Sequence, residues 1–175
     1  MKKVKEEATA MTLQSVKEHF NNKNPKIEIL EYEGSSATVE QAAEVLGVKP
    51  AHIAKTLSFK VGEEAVLVVA AGDAKIDNAK FKQFFGVKAK MLTAEEVVLF
   101  TSHPIGGVCP FGLAKPMRTY LDISLKRFKH VFPAAGSINS AVKLTCDELF
   151  TYVDEAEWVD ICKQWQENIE YAEYK

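Results

Sequence analysis

Residues 55–71 constrain this chain more than any other stretch. Two strand-forming runs, 55–61 and 65–71, flank Gly62, Glu63 and Glu64, a hairpin turn between β-branched and aliphatic residues. Helix starts stand on either side of the hairpin, each marked by a capping box. They are Thr38 with Gln41, Thr93 with Glu96, Thr145 with Glu148, and Asp154 with Glu157. A further helix is predicted from about Asp77 to Phe85 with Gly86 as its stop, and another near 8–21. Other strand candidates are 26–32, 88–92, 117–123, 131–135 and 141–145. Helices and strands mix without strict βαβ alternation. The expected class is therefore α+β, a single domain on a mixed, largely antiparallel, partly barrel-like sheet with surrounding helices.

The 175 residues, 47% hydrophobic and 26% charged, exclude a disordered chain, a collagen and a disulfide miniprotein. The longest apolar run, 65–71, is far short of the ~20 residues of a membrane span. The N-terminus begins basic but meets Glu6 and Glu7 at once, without the apolar stretch of a signal peptide. The expectation is a cytoplasmic protein with no membrane partner, monomeric or homodimeric. Cys109, Cys146 and Cys162 contain no CxxC pair, which favours reduced thiols over a disulfide frame or zinc site.

The net charge of −2 hides an uneven distribution. Residues 52–143 carry 13 basic and 7 acidic side chains, whereas residues 144–175 carry 2 basic and 9 acidic. A basic middle can bind polyphosphate whatever the overall balance, or can be a solvated surface. Near the C-terminus, Trp158, Ile161, Cys162, Trp165 and Ile169 recur every three or four residues. This spacing predicts an amphipathic helix over 154–175, packed on the domain or docking a partner.

Two local anomalies point to chemistry. Lys55 shares a strand face with Leu57, Phe59 and Val61, so its ammonium must either snorkel out or line a cavity. Gly106, Gly107, Val108, Cys109, Pro110, Phe111 and Gly112 form a loop that neither helix nor strand can use. Its glycines permit close backbone approach to a ligand, and its N–H groups can meet an oxyanion. No Lys-Ser/Thr pair follows, so it is not a P-loop.

Other candidates carry less. Cys109 with His103 or His130 could be a thiol hydrolase pair without an evident third member. Asp73 and Asp77 could be paired carboxylates, or a turn closure and a helix cap. His19, His52, His103 and His130 lack metal-ligand spacing. The cluster Lys126, Arg127, Phe128, Lys129 and His130 could meet phosphates or be a solvated face.

The run from Ala51 to Phe59 with Lys55 at its centre resembles the YbaK / prolyl-tRNA-synthetase-associated editing domain family. So, in order, do Ala71-Gly72-Asp73-Ala74-Lys75-Ile76-Asp77, the 106–112 loop, Tyr120-Leu121-Asp122, Ala134-Ala135-Gly136 and Val142-Lys143-Leu144. The resemblance spans roughly 30–153. It leaves an N-terminal helix (1–25) and the Trp-containing segment (154–175) outside an editing domain placed at 26–153.

The resemblance implies trans-editing: hydrolysis of the ester between a wrong amino acid and a tRNA's terminal adenosine. The substrate would be tRNA(Pro) carrying a small amino acid, Cys or Ala. No cofactor, metal or protein nucleophile is implied. The partners would be the acceptor end of aminoacyl-tRNA and prolyl-tRNA synthetase. Lys55 would meet the adenosine's phosphate or ribose. Gly106, Gly107, Val108 and Pro110 would supply the glycine-x-x-x-proline loop that holds the aminoacyl carbonyl. Thr38, Cys109, Phe111, Ala134, Ala135 and Gly136 are expected to contact substrate. The alternative is a non-catalytic module of the same fold that binds tRNA or a nucleotide.

Overall fold

The structure is a computed structural model describing residues 2–168. Its centre is the expected hairpin, β2 (Ile53–Val61) and β3 (Glu64–Ala71), paired antiparallel from Ala54↔Ala71 to Val61↔Glu64. The turn is therefore two residues, Gly62 and Glu63, with Gly62 at φ +64. Parallel pairings extend the sheet: β6 (Phe132–Pro133) beside β2, β5 (Thr119–Asp122) beside β3, and β8 (Ala156–Val159) beside β5. The result is a curled, mixed five-stranded half-barrel in the order β6-β2-β3-β5-β8. Two small antiparallel pairs complete the strands among the described residues. They are β1 (Ile29–Glu31) with β7 (Ser140–Val142), and β4 (Lys75–Ile76) with β9 (Cys162–Lys163).

Among the described residues, five α-helices surround the sheet. They are α1 (Lys2–Lys23), α2 (Val39–Leu46), α3 (Asn78–Phe85), α4 (Ala94–Thr101) and α5 (Cys146–Tyr152). Local chemistry sets their ends. Thr93/Glu96 and Thr145/Glu148 form complete reciprocal boxes, while Thr38 accepts from Gln41 N. Asp77 caps α3 by accepting from Ala79 N and Lys80 N, and Gly86 ends it at φ +77. Among the described residues no helix is long and apolar enough to cross a membrane.

The hairpin has two faces. Leu57, Phe59, Val66 and Val68 pack with Phe81, Tyr120, Val159 and Ile161, with Phe59 and Phe81 rings 4.9 Å apart. Ala54, Val69 and Ala71 join the larger core with Val16, Phe20, Leu121, Leu125 and Leu149.

Two expectations are corrected. Residues 88–92 form no strand, because only Met91 bridges to Phe59. Lys90 O and Leu92 N nevertheless bond Lys60 N and Ser58 O, closing the part of β2 that β6 leaves bare.

The amphipathic helix over 154–175 is replaced, as far as residue 168, by β8 and β9. Here the empty edge of β5 outweighs local periodicity. Ala156 to Val159 pair with Thr119 to Asp122, Ile161 N donates to Asp122 Oδ2 at 2.9 Å, and Ile161 O accepts from Asp77 N. Asp154 caps no helix and instead pairs with Lys23 at 2.8 Å. Trp158 stacks on Phe150 beneath the Lys126 ammonium, which sits 4.3 Å from its ring centre. Ile169 lies outside the described residues.

Candidate active site

A cleft of about 300 Å³ opens between α2, the cleft end of β2, the loop after α4 and the β6–β7 connection. Thr38, Lys55, Gly106, Val108 and Ala134 all line it, brought together from segments far apart in sequence. Its walls are otherwise mainly apolar, from Val39, Leu46, Ile53, Ile105 and Phe132.

Lys55 is half-buried, and its Nζ donates to Gly72 O at 3.2 Å and to Ala74 O. Burial pulls its pKa below the usual lysine value, partly offset by Cys162 and Asp73 nearby. No carboxylate is bonded to it among the described residues.

The 106–112 loop is held from within. Gly107 N donates to Pro104 O at 2.9 Å, and a side chain at Gly107 would meet the Ser137 backbone at 2.8 Å. Gly106, at φ +86, faces the cleft, and a Cβ there would lie 2.9 Å from Ala37 Cβ. Among the described residues no protein acceptor takes the N–H of Gly106 or Val108. The cleft lining thus includes one cation and two loop residues whose N–H groups have no protein acceptor, a set suited to an anionic group.

Cys109, Phe111 and Ala135 are fully buried in the core, and Gly107, Pro110 and Gly136 are buried beside them. They sit behind the walls and are not among the residues that line the cleft, although substrate contact is expected of Cys109, Phe111, Ala135 and Gly136. Cys109 and His103 do meet, Sγ to Nε2 at 3.6 Å, but both are 0% exposed. Burial pushes the Cys109 thiol up to about 12, and the His103 Nε2–H donates to Phe111 O at 2.7 Å. This pair is packed inside the core.

Asp73 and Asp77 are likewise structural, the first ion-paired to Arg127 and the second a helix cap. Arg127 is therefore unavailable to phosphates, and within its cluster Lys126 covers Trp158. Among the described residues no cluster of three His, Cys, Asp or Glu could hold a metal.

Sequence reasoning singled out Thr38 but missed other hydroxyls of the cleft. Tyr32 Oη donates to Ser36 Oγ at 2.6 Å, and Ser36 Oγ to Ile138 O at 2.8 Å. Burial raises the Tyr32 pKa. Thr56 Oγ1 is buried without a hydrogen-bond partner among the described residues. Nothing local distinguishes these residues from surface serines and threonines, because tertiary contacts bring them together.

The half-barrel and its cleft define a YbaK-like α+β domain. A family model described as "Aminoacyl-tRNA editing domain" matches residues 33–152, and the chain belongs to that family. It is 55% identical over 157 residues to "Uncharacterized protein YwhH" of Bacillus subtilis (strain 168), covering 89% of this chain and 100% of that one. It is also 35% identical over 94 residues to the proline--tRNA ligase of Thermotoga maritima, covering 53% of this chain but 16% of the ligase. A crystal structure described as that of a candidate trans-editing enzyme for prolyl-tRNA synthetase superimposes with a TM-score of 0.80. Its sequence identity is 27%, and the match covers 87% of this chain and 97% of that one.

Proposed function

We propose that this chain is a trans-acting deacylase that hydrolyses mischarged aminoacyl-tRNA, with tRNA(Pro) bearing Cys or Ala as its preferred substrate. The observation that carries the reading is the cleft, whose lining joins Lys55 to Gly106 and Val108 of the glycine loop in an editing-domain chain. Its mainly apolar walls and volume of about 300 Å³ suit a small side chain beside the terminal adenosine.

An aminoacyl ester is already activated, so positioning and oxyanion stabilisation supply most of the acceleration. Water adds to the ester carbonyl carbon. The Gly106 and Val108 N–H groups receive the oxyanion. Collapse breaks the bond to the ribose oxygen, which takes a proton and leaves as the tRNA hydroxyl, and the free amino acid departs. The ribose 2′-hydroxyl assists the proton movement. Lys55, with two of its three N–H bonds spent on carbonyls, directs the third at the adenosine's phosphate or ribose. Gly107 and Pro110 shape the loop and do not touch substrate. No metal or protein nucleophile enters.

A panel of mischarged tRNAs tests this, scored by release of free amino acid with and without chelator. Rapid release of Cys or Ala from tRNA(Pro), sparing Pro-tRNA(Pro) and indifferent to chelator, is expected. Binding of charged tRNA without release would make the chain the non-catalytic module instead.

A further inference from the structure

Helix α1 ends before residue 33, where the family match begins, and none of its described side chains lines the cleft. One turn of it nevertheless touches both cleft loops. Thr12 Oγ1 donates to Gly136 O, behind the wall that carries Ala134. Ser15 Oγ lies 3.1 Å from Gly112 O, at the end of the loop that carries Gly106 and Val108, and shares its proton with Thr12 O at 2.8 Å.

The contact is close enough to dictate residue type. A Cβ at Gly112 would approach Ser15 C to 2.7 Å, and one at Gly136 would approach Thr12 O to 2.7 Å. Val16 and Phe20, 0% and 1% exposed, continue the same helix face, and the Phe20 ring packs 4.6 Å from Phe111. Further along, His19 Nε2 lies 2.7 Å from Tyr152 O, and Lys23 pairs with Asp154, so α1 is tied down beyond the loops as well.

We infer that α1 is a spacer for the active site, and that Thr12 and Ser15 are positioning residues which set the 106–112 loop against the 134–136 wall. The inference rests on the deacylase reading for its effect on rate. Donors act on an oxyanion only when correctly placed, and a misplacement of ~1 Å can cost about a hundredfold.

The test uses the full chain with Thr12→Val, which removes the hydroxyl at nearly constant shape, and the Thr12→Val/Ser15→Ala double variant. Deacylation is measured well below the thermal midpoint, together with hydrogen exchange of backbone amides. A fall of roughly tenfold in kcat, with KM within about twofold, is expected for Thr12→Val. Thr12→Ser should restore most of it. Exchange should quicken at 104–112 and 134–138 while the β2–β3 ladder is unchanged.

Wild-type kcat and unchanged loop exchange in the double variant would overturn the inference, as would a rate loss that Thr12→Ser fails to restore. If Thr12→Val does not fold, Ser15→Ala alone carries the same readouts. If the unaltered chain releases no amino acid from any tRNA, the deacylase reading fails. Loop exchange then decides alone: quickening confined to the two loops supports the spacer role, and unchanged exchange overturns it.

Discussion

Two cations, the buried Arg127 and the half-buried Lys55, grip the same turn, residues 72–74, in opposite ways. Arg127 holds the Asp73 carboxylate with both terminal nitrogens, at 2.9 and 2.5 Å, and donates to Ser124 O through Nε. Its plane lies against the rings of Phe128 and Trp165, and Asn168 adds a 2.7 Å bond to Asp73. Burial alone would raise the Asp73 pKa, but the bonds from Arg127 and Asn168 outweigh it and hold the carboxyl below its usual value. Lys55 takes only the neutral carbonyls of Gly72 and Ala74 and faces an open cleft. The difference separates structure from function. A bidentate ion pair has spent its charge, whereas a half-buried ammonium on carbonyls keeps both charge and a donor for an incoming anion.

The largest effect expected is on stability, from breaking the closed pair. Arg127→Met strands the Asp73 carboxylate and should cost about 3–5 kcal/mol in urea unfolding. The sign with pH follows from the lowered Asp73 pKa. The pair contributes fully above the ordinary carboxylate value of 3.8 and loses its contribution as pH falls through the folded value. Arg127→Met should flatten that acid limb. An unchanged urea midpoint would show the pair to be idle.

Next in size is the glycine loop that lines the cleft together with Lys55. Gly106→Val should lower deacylation ~100- to 1000-fold, the usual loss for a misplaced oxyanion donor. Its positive φ and the Ala37 contact mean some stability goes too. A thermal melt run beside the rate assay separates the two. Normal hydrolysis by a folded Gly106→Val protein would remove the loop from the mechanism.

Lys55→Ala is the mirror of Arg127→Met. Stability should hold, while deacylation falls about ten- to a hundredfold from loss of a charge-assisted contact. A variant that instead unfolds and, where folded, reacts normally would reverse the roles given to the two cations.

Smaller still is a pH effect beneath the loop. Burial depresses the His103 pKa, opposed by the bond to Phe111 O, so the unfolded chain binds the proton more readily. Stability is therefore present above the ordinary histidine value of 6.5 and is lost as pH falls below it. Urea midpoints at about pH 7.5 and 5 should diverge less in His103→Gln than in the unaltered protein. Equal divergence would clear His103 of the effect.

The smallest change expected is from Cys109→Ala, which should keep most of its deacylation, because the thiol is sealed in the core. A folded but inactive variant would revive a thiol mechanism.

Much of this was legible from neighbours in the chain. The boxes at Thr93 and Thr145, the stop at Gly86 and the turn at Gly62 involve groups no more than four residues apart, so residue type suffices. Lys55 was visible as a charge on an apolar strand face, and the glycine loop as a segment no regular element could use.

Tertiary structure decided the rest, where two local solutions compete or partners lie far apart. The three-and-four spacing of Trp158, Ile161, Cys162 and Trp165 serves a helix, but equally a strand, a bend and a second strand. The open edge of β5 and the Asp122 carboxylate favour the latter. Asp73 and Arg127 are separated by 54 residues, Ser15 and Gly112 by 97, and Thr12 and Gly136 by 124. No spacing rule reaches that distance. A contact of that kind forms only after the core has folded and brought both groups out of water together, where an unpaired polar atom is costly.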